Sequence, residues 1–329
     1  MRKLFFLFAI PVLFAGCQEI IELDLDDPEP ELVIEGYLAG LDFWIPDSDL
    51  RCSEDDIIPR DSLLFYAAFA ELFDIDSIAE LTDYFPYNRV KLSLTAAYFS
   101  NAATPRVSNA TVRLYEDGSL VETLAESTEE AGIYLITYDP VVDAMYHLEV
   151  EAEIGGTTKL YETTPEPYLS TPPILETAAV YNPDPLFGDS AAYYLNISTY
   201  EVPGLGDHYT WSFYINNEYQ SDPGDISITP DDGIDGACVP GSDVYGDPID
   251  LGAEIAVFQS RVSQKHHDFL SNIRQQTAFV GGPFDTPPAP IVGNVKNVTD
   301  GGNAFGYFVP AAVTVGFTTV PDTIPAEFE

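Results

Sequence analysis

The stretch SNATVRLYEDGSLVETL, residues 108–124, decides the reading of the fold. Two short runs of β-formers, Val112–Tyr115 and Leu120–Leu124, flank Asp117-Gly118. An Asp-Gly dipeptide readily takes the positive φ angles of a two-residue hairpin, so the stretch reads as strand, tight turn, strand. Outward from it, apolar and polar residues alternate with period two. Downstream, Tyr146, Leu148, Val150, Ala152 and Ile154 interleave with His147, Glu149, Glu151 and Glu153. Upstream, Val90, Leu92, Leu94, Ala96 and Tyr98 interleave with Lys91, Ser93 and Thr95. Such alternation puts one face of a strand on a core and the other in solvent. Further strands are expected at Leu32–Leu38, Ile133–Tyr138, Tyr193–Thr199, Tyr209–Ile215, Leu251–Phe258 and Ala312–Phe317.

Short strands separated by turn residues predict a mostly β protein. The expected order is an N-terminal immunoglobulin- or transthyretin-like β-sandwich, then a second β-rich domain with a short helix. The proline-rich Thr164–Pro173 marks the division, giving a sandwich over 32–168 and a second domain over 169–329. Residues 40–88 read as a helical insertion between the first strands. Within it, Ser62–Phe73 is apolar nearly all round, which demands burial in its own domain or against a partner. A second helix is expected over Ser260–Gln276, with Val262, His266, Phe269, Leu270 and Ile273 on one face and Ser260 or Ser263 as cap. It gathers Arg261, Lys265 and Arg274, a large share of the scarce bases.

The N-terminus sets the compartment. Arg2 and Lys3 precede an apolar run, Leu4–Ala15, too short to span a bilayer but suited to a signal-peptide core. LFAGC reads as a lipobox, although Phe14 is unusual three places before the cysteine. Residues 1–16 are then a lipoprotein signal peptide and Cys17 carries lipid, anchoring the chain to a membrane. Residues 17–31 hold Glu19, Glu22, Asp24, Asp26, Asp27, Glu29 and Glu31, with Pro28 and Pro30 and no base, as an extended acidic tether should.

The chain carries 54 acidic against 13 basic side chains, a formal net charge of −41. That field repels nucleic acid and anionic headgroups, which excludes both as partners. With 46% hydrophobic residues, 20 Tyr and 20 Phe, it does not belong to the disordered class either.

Chemistry is sparse. His147 and His208 fall on the polar phase of strands, where exposure is expected. His266, His267 and Asp268 are neighbours on a helix and point about 100° apart, so they do not share one ion unaided. No nucleophile elbow, H-E-x-x-H or phosphate-cradling glycine loop is present. The stretch 231–250 holds Asp231, Asp232, Asp235, Asp243, Asp247 and Asp250 among four glycines. It is either a solvated loop or a calcium site, since calcium takes about six to eight oxygens. Cys52 and Cys238 either pair across the oxidising envelope or stay as buried thiols.

The stretch PPAPIVGNVKNVTDGGNAFGYF, residues 287–308, stands with CQEIIELDL, ELVIEGYL and the opening hairpin in one order along the chain. Together they resemble a family of Bacteroidota lipoproteins, the domain-of-unknown-function family forty-two forty-nine. The resemblance implies an outer-membrane lipoprotein facing the cell surface beside a TonB-dependent, SusC-like barrel, serving nutrient uptake as a non-catalytic accessory subunit. It carries over no catalytic residue. Expected partner contacts are Leu63, Phe65, Phe69 and Phe73 on the apolar helix, and Arg261, Lys265 and Arg274. The alternative is a stand-alone carbohydrate- or peptide-binding adhesin using exposed Tyr193, Tyr194 and Tyr214. The proline- and glycine-rich stretch itself reads as a staple of the second domain or as a contact surface.

Overall fold

The fold is seen in a computed structural model, which describes residues 29–53, 56–64, 86–96, 102–185, 191–277, 291–302 and 304–326. It is mostly β, with twenty strands among the described residues. A nine-stranded sheet forms the spine. Its spatial order is β15 (Glu218–Tyr219), β14 (His208–Ile215), β18 (Glu254–Val262), β20 (Phe305–Thr319), β1 (Leu32–Gly40), β4 (Arg89–Leu94), β8 (Ile133–Leu135) and β7 (Ala125–Glu126), with β16 (Ser227–Pro230) also paired to β14.

Two smaller sheets pack on this spine. The first is six-stranded: β19 (Val295–Asn297), β10 (Thr157–Thr163), β9 (Met145–Ile154), β5 (Thr111–Glu116) and β6 (Ser119–Thr123), with β11 (Glu166–Pro167) on β9. The second is three-stranded: β12 (Glu176–Asn182), β13 (Ala192–Tyr200) and β17 (Cys238–Ile249). Inside residues 40–88, β2 (Leu50–Arg51) pairs with β3 (Ile57–Ile58), and residues 60–64 are helical.

Alternation explains the sandwiches. Leu32, Ile34 and Leu38 of β1, Val90 and Leu92 of β4, Val112 and Leu114 of β5, and Tyr146, Leu148 and Val150 of β9 meet in one core. The β5–β6 turn has Asp117 at φ 47 and Gly118 at φ 77, the positive pair a tight hairpin needs. A second core joins Leu195 and Ile197 of β13 and Tyr245 of β17 to Phe213 of β14 and Val257 of β18.

β20 joins the two halves of the spine. Its first half pairs in parallel with β1, from Val33 opposite Phe305 to Gly40 opposite Ala312. Its second half pairs antiparallel with β18, from Val313 opposite Ser260 to Thr319 opposite Glu254. The segment joining the two sequence halves lies against this strand. Thr171 Oγ1 donates to Ala312 O at 2.8 Å and accepts from Arg261 N at 2.9 Å, and Thr314 Oγ1 donates to Pro172 O at 3.1 Å. Tyr168 and Thr171 are fully buried.

The motif at 291–308 acts as a staple, but to the N-terminal sandwich rather than within the C-terminal half. Asn294 Nδ2 donates to Phe308 O at 2.8 Å, and Phe308 N donates back to Asn294 Oδ1 at 2.9 Å. Thr164 N donates to Asn294 O at 2.7 Å. A Cβ on Gly306 (φ +96) would sit 2.0 Å from Ile34 O, and one on Gly293 would sit 1.6 Å from Gly306 O. Only glycine permits this approach of three backbones.

The second expected helix begins later than its periodicity suggests. Ser260, Arg261 and Val262 continue β18, and α1 runs Gln264–Thr277 with Ser263 Oγ accepting from His266 N at 3.2 Å. Helix α1 lies across β14 and β16. It therefore covers the face of β14 expected to meet solvent, and His208 is 8% exposed.

Candidate functional site

Two of the hollows along the C-terminal half of the spine bear on function. One, about 710 Å³, runs between α1 and the β1–β20 surface, lined by Tyr37, Phe269, Leu270, Ile273, Phe305 and Tyr307 with Arg89 and Lys91 to one side. The other is a cleft of about 380 Å³ on the opposite side of β14, facing β13 and β17.

Strand geometry builds the cleft. Tyr209 and Trp211 are two residues apart on β14, so they share a face, with ring centroids 6.5 Å apart and planes at 29°. Trp211 is oriented by its indole Nε1, which donates to Gln259 Oε1 at 3.0 Å. Gln259 is itself fixed, its amide donating to Pro172 O at 2.9 Å and Thr199 Oγ1 at 3.3 Å. Glu201 follows β13 directly and is 2% exposed. Its carboxylate accepts from Gly236 N at 2.5 Å and from Tyr209 OH at 3.2 Å. Burial, the largest cause, pushes this carboxyl up to about 7, with nearby Asp207 and Asp231 adding to the rise. Asp232, Asp243 and Arg274 complete the charged lining.

Behind the cleft, Glu201, Asp207 and Asp231 present carboxylate oxygens within 4.8 Å of one another, all three buried. Asp231 Oδ2 accepts from Gly206 N at 2.7 Å and Asp207 N at 3.1 Å. Arg261 Nη2 reaches Asp207 Oδ1 at 2.6 Å, while Asp207 Oδ2 is buried without a hydrogen-bond partner among the described residues.

Of the six aspartates proposed for calcium, the structure brings only Asp231 into this cluster. Asp235 Oδ1 instead accepts from Gly204 N at 2.7 Å, latching one loop to the next. Asp243 and Asp247 lie on β17, and Asp232, Asp235, Asp243, Asp247 and Asp250 are exposed. Glu201 and Asp207, the partners of Asp231, were missed. Cys52 and Cys238 form a disulfide with Cα atoms 5.1 Å apart.

Several expected contact residues are covered by the chain itself. Leu63 is fully buried, and Arg261 sits on β18 in its ion pair with Asp207. Leu63 is thereby corrected from surface to interior, while Arg261 is half-buried. Lys265 is 67% exposed, 3.6 Å from Glu166, and Arg274 is exposed at the cleft. Phe65, Phe69, Phe73 and Cys17 lie outside the described residues. Tyr193, Tyr194 and Tyr214, expected on the surface as adhesin platforms, are 4%, 6% and 1% exposed.

The histidines pack as rings. His147 is half-buried and stacks on Tyr115 at 4.8 Å, and His208 lies 4.7 Å from His267. His266 is buried against Tyr307, and that burial pushes its pKa down to about 3.

Residues 85–316 match a family described as Domain of unknown function (DUF4249). No curated protein and no solved structure matches the chain.

Proposed function

The chain belongs to the DUF4249 family, and on that premise we propose that it is a ligand-binding accessory subunit rather than an enzyme. In this reading it is a lipoprotein, held in the outer membrane through Cys17 and facing the cell surface. It presents ligand to a TonB-dependent, SusC-like barrel for uptake. The cleft at Tyr209 and Trp211 carries the proposal. It is concave, lined by the aromatic residues Tyr200, Tyr209 and Trp211 with a few placed polar groups, and within the size range of small-ligand sites.

Rigidity supports the same reading. Both walls of the cleft belong to sheets, and Gln259 ties Trp211 to the crossing segment at Pro172. A site preformed in this way loses little ordering entropy on binding. The stand-alone adhesin reading draws on the same cleft but loses its surface tyrosines, which are buried.

Replacing Cys17 by alanine tests the accessory role. The variant should fold and keep its ligand affinity, yet fail to support transporter-dependent uptake in a strain lacking the wild-type protein. Uptake at the wild-type rate from the unanchored variant would contradict the proposal.

A further inference from the structure

The cleft also indicates what kind of ligand it takes, an inference resting on the reading of the cleft as a binding site. Its polar lining is unbalanced: Glu201, Asp232 and Asp243 face one base, the exposed Arg274 at the end of α1. The imbalance continues behind the wall. Glu201 is grouped with Asp207 and Asp231, and Arg261 pairs with Asp207 alone. Asp207 Oδ2 is buried with no donor among the described residues. With Arg261 offsetting Asp207, Asp231 behind the wall and Asp232 and Asp243 on the lining leave a negative field across the cleft.

The aromatic wall has the same preference. Tyr209 and Trp211 lie side by side, and the face of an aromatic ring attracts a cation through its quadrupole. A net charge of −41 adds long-range attraction for cations and repulsion for anions. A bare metal ion would gain nothing from the rings. A neutral sugar would leave the buried carboxylates uncompensated.

We infer that the cleft binds a small organic cation, a primary amine or guanidinium. Its alkyl stem lies along Trp211, and its N–H donors face Asp243, with the carboxyl of Glu201 buried behind the wall. Arg274 holds the rim when no ligand is present and competes with it. The raised carboxyl of Glu201 agrees with this, since a neighbouring cation would favour its charged form.

Titration calorimetry and tryptophan fluorescence of the purified chain, with agmatine and putrescine as probes, test the inference. Glucose, succinate and calcium chloride serve as comparators. Agmatine should bind and change the fluorescence, and the change should vanish in Trp211→Phe, which leaves Trp44 as the one tryptophan. Asp243→Asn, at an exposed position, should weaken agmatine at least about tenfold without lowering thermal stability, as loss of a charged hydrogen-bond acceptor does. Arg274→Gln should strengthen it. No response to either amine, binding indifferent to Asp243→Asn, glucose binding as tight as agmatine, or a response to calcium alone would each overturn the inference. None of these outcomes bears on whether the chain accompanies a transporter, which co-purification decides separately.

Discussion

Replacing Asn294 by alanine removes the pair of bonds through which one side chain imitates a strand. Asn294 is 6% exposed, Phe308 is fully buried, and the amide satisfies both the N–H and the C=O of Phe308. A neutral hydrogen bond contributes about 1 kcal/mol net, but stripping a partner from a buried group costs about 1–3 kcal/mol. Two groups are stranded here. Water entering the small hole left by the amide offsets part of that, so the expected loss is about 2–4 kcal/mol. Asn294→Asp should be at least as costly, because its second oxygen then faces Phe308 O where a donor stood. Urea unfolding near pH 7, followed by circular dichroism and by fluorescence, measures both variants. Because β20 pairs with β1 on one side and β18 on the other, both probes should shift together in a single transition. A loss under about 0.5 kcal/mol for Asn294→Ala, or separate transitions for the two probes, would refute the staple.

Other consequences can be measured on the same preparation. The Cys52–Cys238 disulfide closes a span of 186 residues, and chain entropy gives an upper stabilisation of about 5 kcal/mol. Reduction should therefore lower the urea midpoint, and the folded, unreduced chain should show no reactive thiol from this pair. The carboxyl of Glu201 sits at about 7 when folded, against 4.5 as the ordinary value. Between those values the folded chain holds a proton that the unfolded chain has released, so stability should fall as pH rises through that window. Glu201→Gln should remove that component, seen as a flatter stability profile between about pH 5 and 8. Arg261→Met leaves Asp207 as an uncompensated charge at a site where the two side chains are 17% and 11% exposed. It should cost about 3–5 kcal/mol, and adding Asp207→Asn should restore much of the loss, as thermal melts of the single and double variants would report.

What the sequence revealed follows from where each signal lives. The β5–β6 hairpin and β9 are local and one-sided, so a turn dipeptide and strict alternation were enough. β20 was legible only over Ala312–Phe317, though it spans Phe305–Thr319. Its first half, FGYFVPA, is covered on both faces and does not alternate, and Gly306 and Pro310 read as breakers. Its parallel pairing with β1 joins opposite ends of the chain and leaves no periodic trace. The same double coverage hid the burial of His208, which α1 covers, and of Tyr214, which packs against Tyr219 and Phe258 on a face that alternation assigns to solvent. Ser260–Val262 blended into the helical spacing of α1 because three residues fit either period.

The acid cluster was harder still. Asp231 stood out beside glycines, but Glu201 and Asp207 are ordinary members of a very acidic chain, and only folding sets them beside it. Trp211 shares the phase of Tyr209 and Phe213 on β14, the side that packs toward β13 and β17. That its indole also lines a cleft depends on how β13 and β17 cross above it.

The central claim, an accessory subunit of a transporter, is tested most directly by affinity purification of the tagged protein from its own outer membrane in mild detergent. Mass spectrometry then identifies what accompanies it. The account predicts a large TonB-dependent barrel in stoichiometric amount. A lipoprotein that comes away alone, reproducibly and with its cleft still able to bind ligand, would contradict it.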